Sequence, residues 1–193
     1  MTDTLAHSGE ITIRRAKADD AETLAALSAA MFLDTFVRGF GIPYSDADIE
    51  AFIASSHSPA AYAKKLADPK QALWIATDAS GQAVGYANAG PCGLPAEGAT
   101  ADQGELYRLY VRREVQGAGL AARLMTETLA WLAADRRPVW LGVWSLNERA
   151  QRFYARYGFE KVGEYDYPVG ETIDREWVMR REAGRFNLPS SSS

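Results

Sequence analysis

One short segment, Val139–Trp144 (VWLGVW), limits the fold of this chain more than any other part of the sequence. It carries no charge, and its apolar side chains fall on both faces of a strand. Such a strand has to be covered on both faces, which is typical of the centre of a sheet flanked by helices. In the preceding segment, 117–134, Leu120, Leu124 and Leu129 belong to one apolar helical stripe. The sequence therefore predicts a covered central strand that follows an amphipathic helix.

The other elements are predicted from two kinds of periodicity. Alternation or short apolar runs predict further strands over residues 10–15, 71–78, 83–89, 105–111, 159–165 and 172–179. Apolar spacing and capping residues predict helices around 24–35, from Ser45, over 58–66, 117–134 and 147–157. Asp19 or Asp20 is a candidate cap for the first of them. This order predicts an α/β (α+β) fold, a mixed sheet with helices on both faces.

The length of the chain limits the number of domains, and its net charge limits the kinds of partner. The chain has 193 residues, which fits one domain, predicted over residues 1–188. The serine-rich end, residues 189–193, is predicted to be a disordered tail. The net charge of −4 disfavours nucleic acid or an anionic membrane as a partner.

The sequence also disfavours a metal site and an export signal. One cysteine, Cys92, and two histidines, His7 and His57, leave too few ligands for structural zinc, so no metal is predicted. No apolar run reaches the roughly 18 residues of a membrane span. The polar residues 1–10 lack the apolar core of a signal peptide. A cytoplasmic setting is therefore expected, and exposed edge strands near the C-terminus leave a homodimer open.

A glycine-containing turn, Gln116–Ala121 (QGAGLA), joins the strand 105–111 to the long helix. Glycines let consecutive backbone N–H groups point outward at a helix N-terminus, which makes a cradle for phosphate or pyrophosphate. A tight turn without a ligand is the alternative. The same residues fit a dinucleotide fingerprint, but the nearest acidic candidate, Asp135, precedes the next strand instead of ending it. A nicotinamide cofactor is therefore disfavoured.

A second motif begins 31 residues after Gln116, and its members are Asn147, Ala150, Phe153, Tyr154, Gly158 and Phe159. The two motifs together resemble the Q/R-x-x-G-x-G/A turn and the N-x-x-A-x-x-F-Y-x-x-x-G-F run of the GCN5-related N-acetyltransferases (GNAT). The resemblance covers about residues 10–182 and implies a mixed, mostly antiparallel sheet of six to seven strands. Within this family the chain also resembles the PaiA-type spermidine/spermine acetyltransferases, in the segments Asp34-Thr35-Phe36, Leu141–Trp144 and Tyr165–Gly170 and at Asp174.

The resemblance implies acetyl-CoA as the acyl donor. Its pyrophosphate is expected on the glycine turn, on the backbone of Gly117, Ala118, Gly119, Leu120 and Ala121, with Gln116 shaping the loop. The pantetheine arm is expected beside the preceding strand, on the main chain of Leu109, Tyr110 and Val111. One of those N–H groups would polarise the thioester carbonyl. Asn147 is expected beside the pantetheine arm, although alone it is an ordinary helix N-cap.

Two residues are predicted to move protons. A protonated amine cannot attack a thioester, and Glu105 lies where GNAT members often carry a carboxylate base, acting directly or through water. The leaving thiolate needs a proton or a hydrogen bond, which a phenol can supply. The resemblance assigns this role to Tyr154, which occupies the tyrosine position of the second motif. The structural alternatives are a surface carboxylate for Glu105 and a core tyrosine for Tyr154.

The acceptor site is the least determined part. Asp34 shares the apolar face of the first helix, so it is predicted either to bind a substrate ammonium, to pair with an arginine or to end the helix. Trp144 is a candidate wall of the acceptor tunnel. Asp46, Asp48 and Glu50 are either an acidic rim or ordinary first-turn charges. Cys92 is a candidate thiol that nothing in the sequence pairs with a base.

The predicted function is direct transfer of an acetyl group from acetyl-CoA to a primary amine, polyamine-like, in a ternary complex. The partner is then a small-molecule amine. Two alternatives stay open. One is acetylation of a protein or peptide N-terminus, and the other is an acyl-CoA-binding regulator without turnover.

Overall fold

The computed structural model describes residues 10–132 and 137–184. Seven strands form one sheet, and they are β1 (Thr12–Arg15), β2 (Ala72–Thr77), β3 (Ala83–Pro91), β4 (Gly104–Val111), β5 (Val139–Trp144), β6 (Glu160–Val169) and β7 (Thr172–Arg181). Their order in the sheet is β1-β2-β3-β4-β5-β7-β6. The pair β4–β5 is parallel and the other pairs are antiparallel. The mixed, mostly antiparallel sheet predicted from the sequence is confirmed.

In the described part of the chain five α-helices accompany the sheet, and they are α1 (Ala21–Phe32), α2 (Asp46–Ser56), α3 (Pro59–Ala67), α4 (Leu120–Leu132) and α5 (Glu148–Ala155). A π-helical segment, Leu33–Gly39, continues α1. The helix predicted from residue 117 begins only at Leu120, because Gly117 and Gly119 have positive φ angles of 90° and 76° that a helix does not allow. The predicted end of that helix, Asp135 and the predicted tail lie outside the described residues.

Capping explains where two helices begin. The Ser45 hydroxyl accepts a hydrogen bond from the Asp48 N–H at 3.1 Å, and the Ser58 hydroxyl accepts one from the Ala61 N–H at 3.3 Å. Neither acidic candidate caps α1 through its side chain. The Asp20 carboxylate instead accepts the Lys17 N–H at 2.7 Å, at the start of a short 3-10 turn that precedes the helix.

The sheet is covered on both faces. On one face α4 packs Leu124 and Met125 against alternate residues of β2 such as Trp74. On the other face α1 and α3 pack Leu24 and Tyr62 against the intervening residues of β2. Helices on both faces, as the sequence predicts, are therefore confirmed. Within the described residues no helix combines the length and apolar character needed to cross a bilayer.

Two irregularities of β4 shape the candidate functional site. The strand pairs with β5 only at Gly104 and Glu105, after which the two strands separate. On its other side the pairing with β3 skips Tyr107, which makes a bulge of one extra residue. Because of the bulge, Leu106 and Leu109 both face the core beneath α4 although they are three residues apart. Arg108 and Tyr110 are turned to the α1–α3 side.

Candidate active site

A continuous cavity of about 1840 Å³ opens where β4 and β5 separate. It reaches from the glycine turn before α4, past α5, to the helices on the opposite face. Thirteen of the sequence-predicted site residues line it, and these are Asp34, Glu105, Leu109, Tyr110, Val111, Gln116, Gly117, Gly119, Leu120, Ala121, Trp144, Asn147 and Tyr154. Ala118 lies exposed between the two glycines and is not part of the lining. The sequence therefore predicts the place of the cavity, while the role of each residue stays a prediction.

The glycine turn has the geometry of an anion cradle. Gly117 and Gly119 adopt left-handed backbone conformations, and a Cβ at either position would meet open space. The turn leads into the N-terminus of α4, where free N–H groups point outward. The Gln116 amide donates to the Val111 carbonyl at 3.0 Å and accepts from Arg149 at 2.6 Å. Gln116 thereby ties the loop to the end of β4 and to α5.

Several arginines on the rim of this end of the cavity were missed in the sequence. They are Arg113, Arg149, Arg152 and Arg156. The signal was present in the sequence, because Arg149 and Arg152 of α5 and Arg156 directly after it are all exposed, but this segment was interpreted only through its apolar stripe. Guanidinium groups suit the phosphates of a nucleotide-like ligand. Asn147, at the start of α5, is its N-cap, since the side chain accepts the Ala150 N–H at 3.1 Å.

Tyr154 presents a phenol to the cavity. Its ring is half-buried against Phe159, with ring centres 6.1 Å apart. Its hydroxyl makes no hydrogen bond with the described residues. Burial, and then the negative charge of Glu176, raise the pKa of Tyr154, so the phenol stays protonated at neutral pH. A protonated, unengaged O–H group is a suitable hydrogen-bond donor to a leaving thiolate.

Glu105 is a buried carboxylate, so the alternative interpretation of Glu105 as a surface carboxylate is wrong. It is 8% exposed and accepts the Gly93 N–H at 2.8 Å. Burial raises its pKa, against the opposing effect of the Gly93 hydrogen bond. A carboxylate with a raised pKa is a stronger base, which suits the removal of a proton from an amine. The neighbouring thiol of Cys92 is also buried, which raises its pKa to about 11 and keeps it protonated.

A second carboxylate, Glu176 of β7, was missed. The Tyr165 hydroxyl donates to it at 2.6 Å. Burial, and more weakly the charges of Asp174 and Glu105, raise the pKa of Glu176. A Cβ on Gly142 would lie 2.5 Å from the Tyr165 oxygen and 2.6 Å from the Glu176 carboxylate. A glycine inside the apolar run of β5 was the available signal, because such a glycine marks a close approach.

The acceptor side of the cavity is aromatic. Phe40 lies 4.4 Å from Trp144 between ring centres, and Tyr44 donates a hydrogen bond to the buried Asp174. Asp34 is 44% exposed and forms an ion pair with Arg38 one turn later, so the predicted pairing with an arginine is what the structure contains. The acidic rim proposed for the start of α2 does not form, because none of its three carboxylates lines the cavity.

Three basic side chains also reach this side, and they are His57, Lys65 and Arg108. None of the three is predicted from the sequence to belong to the site. They come from the end of α2, from α3 and from β4, so no local motif joins them. In the part of the chain that the structure describes, no cluster of histidine, cysteine and acidic side chains is arranged to hold a metal ion.

Comparisons with known proteins agree with this geometry. The family model described as an acetyltransferase (GNAT) domain matches residues 41–170. An uncharacterized N-acetyltransferase of Mycobacterium tuberculosis is 37% identical over 165 residues, which cover 84% of this chain and 97% of that protein. Phosphinothricin N-acetyltransferase of Streptomyces coelicolor is 34% identical over 107 residues, or 54% of this chain and 60% of that protein. The crystal structure of the PaiA N-acetyltransferase from Thermoplasma acidophilum in complex with coenzyme A has a similar fold, with a TM-score of 0.69 at 21% identity over 90% of this chain and 99% of that one.

Proposed function

This chain belongs to the GNAT family of acetyltransferases, and on that premise we propose that it moves an acetyl group directly from acetyl-CoA to a primary amine of a small acceptor. The observation that carries the proposal is the content of one cavity. An anion cradle lies at one end, and the unengaged phenol of Tyr154 faces the middle. The buried carboxylate of Glu105 and the half-buried carboxylate of Glu176 lie where β4 and β5 separate.

The chain offers a fitting surface for acetyl-CoA. After Glu105, β4 has no strand partner among the described residues on its β5 side, so the backbone groups of that edge, except the Val111 carbonyl that Gln116 occupies, are open to an extended pantetheine arm. Leu109, Tyr110 and Val111 line this edge, and the left-handed glycines at 117 and 119 follow. The residues proposed to hold the donor are therefore those of the β4 edge, the glycine turn and Asn147.

The proposed chemistry is one step in a ternary complex. The amine nitrogen forms a bond to the acetyl carbon as the bond from that carbon to sulfur breaks. The proton of the amine passes to Glu105, directly or through one water. Tyr154 donates its hydroxyl hydrogen to the leaving thiolate. One N–H of the β4 edge stabilises the charge that develops on the carbonyl oxygen.

The acidic character of the pocket supports a cationic acceptor. Glu105, Glu176 and Asp174 all have pKa values raised by burial, so an ammonium group entering the pocket would stabilise their ionised forms. A polyamine-like acceptor, which the sequence predicts, is one class that meets this requirement. Any small molecule with one primary amine meets it as well, so the acceptor class has to be measured.

The test is release of free CoA from acetyl-CoA with separate amine classes, namely polyamines, amino acids, aminoglycosides and peptides. Tyr154→Phe is expected to lower kcat about a hundredfold while leaving acetyl-CoA binding intact. Tyr157→Phe is the matched control, because Tyr157 is buried next to α5 and does not line the cavity.

The outcomes separate the alternatives. An unchanged kcat in Tyr154→Phe would refute the proton-donor role. Release only with peptides would make the protein a peptide acetyltransferase. Binding of acetyl-CoA without release by any amine would leave an acyl-CoA-binding regulator.

A further inference from the structure

Two cations converge on one backbone carbonyl inside the cavity. The Lys65 ammonium donates to the Ser56 carbonyl at 3.1 Å, and Arg108 Nη1 donates to the same oxygen at 3.3 Å. Arg108 Nη1 also donates to the Tyr62 hydroxyl at 3.2 Å, and the ammonium lies 4.3 Å from the centre of the Tyr62 ring. Both side chains are half-buried and both line the cavity.

Neither cation has a carboxylate partner within residues 10–132 and 137–184. The ion pairs of the structure involve other arginines and Lys161. Only Nη1 of Arg108 donates to described protein atoms, so Nε and Nη2 do not. Two like charges held together away from bulk water without an anion destabilise the protein. A ligand that brings an anion next to Lys65 and Arg108 would explain why the two cations lie together.

His57 adds a third donor, and the hydrogen-bond chain behind it fixes which nitrogen carries the proton. The Ser28 hydroxyl oxygen accepts from Tyr62 at 2.6 Å and from Tyr86 at 2.8 Å. Its own hydrogen is then directed at His57 Nδ1, which must accept. The neutral ring therefore carries its proton on Nε2. That Nε2 is buried, and no described residue is its partner.

The bulge in β4 brings this cluster and the carboxylates into one pocket. In a regular strand, residues three apart face opposite sides of the sheet. Tyr107 is the extra residue, so Glu105 and Arg108 face the same side. Because of the bulge they oppose Gly90 and Asn88, two residues apart on β3, so at about 3.3 Å per residue they lie about 7 Å apart along the strand. That distance is spanned by a small molecule with an amine at one end and an anionic group at the other.

We propose that His57, Lys65 and Arg108 form an anion subsite of the acceptor pocket, and that the acceptor carries a carboxylate, phosphinate or similar anionic group besides its amine. The inference rests on the proposed function, because it assigns the second end of the acceptor in that reaction. The groups left unpartnered are donors, namely His57 Nε2 and the charged Lys65 and Arg108, and the two cations attract an anion and repel a second ammonium. A polyamine therefore fits this end of the pocket poorly.

The experiment compares acceptors that differ at one end only. Linear ω-amino carboxylates of two to six carbons are compared with diamines of the same lengths and with alkylamines, and phosphinothricin is tested as an acid-bearing α-amine. The wild type is expected to have a kcat/KM at least about tenfold higher for amino carboxylates than for diamines of equal length. Lys65→Met is expected to raise KM for amino carboxylates about tenfold or more while changing kcat/KM for alkylamines little.

Two further variants distinguish charge from packing. Lys65→Arg keeps the charge and is expected to retain most of the affinity for amino carboxylates. Lys64→Met is the matched control, because Lys64 is exposed on the same helix and does not line the cavity. Equal loss for amino carboxylates and alkylamines in Lys65→Met would overturn the proposal, as would a preference of the wild type for diamines.

Failure of the reaction itself is separable from failure of the subsite. If no amine is acetylated, binding of 5-aminopentanoate and of phosphinothricin is measured by calorimetry on the wild type and on Lys65→Met. Binding of either compound that Lys65→Met abolishes would support the anion subsite while refuting the proposed reaction. No binding of either compound would refute both.

Discussion

Replacing Lys65 with methionine is expected to stabilise the protein in the absence of ligand. Methionine keeps the length and the apolar stem of the side chain and removes the ammonium. Burial, and then the positive charge of Arg108, lower the pKa of Lys65 from 10.5 to about 7. The folded protein thus binds this proton more weakly than the unfolded chain, so the charged ammonium opposes folding.

The magnitude follows from the same pKa. A drop from 10.5 to about 7 corresponds to about 5 kcal/mol, at about 1.4 kcal/mol per pKa unit. The side chain is only half-buried, so solvent screening reduces the effect, and we expect about 2 kcal/mol. Below pH 7 both states are protonated, and the wild type carries the full penalty. Between pH 7 and 10.5 the folded state loses its proton first, so the wild type gains stability as the pH rises.

Urea denaturation of Lys65→Met and Lys64→Met measures this effect at about pH 6 and about pH 9.5. The free energy of unfolding of Lys65→Met should exceed that of the control by about 2 kcal/mol at the lower pH, and the difference should shrink at the higher pH. Equal stabilities at the lower pH would refute the assignment of an uncompensated cation. A difference that is the same at both pH values would show that packing, and not charge, is responsible.

Two further predictions concern the carboxylates. Gly142→Ala should lower kcat/KM at least about tenfold in steady-state assays, because the added methyl group displaces Tyr165 and Glu176. The control Gly163→Ala adds a methyl group in an open part of β6 and should change kcat/KM little. Equal effects of the two substitutions would contradict the close approach of Glu176 to the site. Because burial raises the pKa of Glu105, kcat/KM should fall with decreasing pH through a value above that of an ordinary glutamate. Glu105→Gln should remove that limb from the pH–rate profile, and a profile that keeps it would identify another base.

Local rules were sufficient for most of the fold. Ser45 and Ser58 were recognisable as helix starts because an N-cap depends on residues only three positions ahead. The glycine turn was recognisable because positive φ angles before a helix are a property of the glycines themselves. The length of α1 was harder, since its last predicted residues lie in a π-helical segment that packs against α2 and Trp144.

The acceptor half of the site depends on tertiary structure. Lys65 and Arg108 meet at the Ser56 carbonyl although they are far apart in sequence. Glu176 reaches the cavity because β7 inserts between β5 and β6, an order that periodicity does not reveal. The bulge at Tyr107 is equally hidden, since it exists only in the register with β3.

The bulge at Tyr107 connects the two halves of the reaction. Without the extra residue, a regular β4 would turn Arg108 into the apolar core beneath α4, where a guanidinium has no partner. With it, Leu109 returns to that core, and Arg108 joins Glu105 on the acceptor side. The pocket then has donors at one end and carboxylates at the other, each destabilised by burial. An acceptor with an anion and an ammonium compensates both ends at once, so its binding should also raise the thermal stability of the protein.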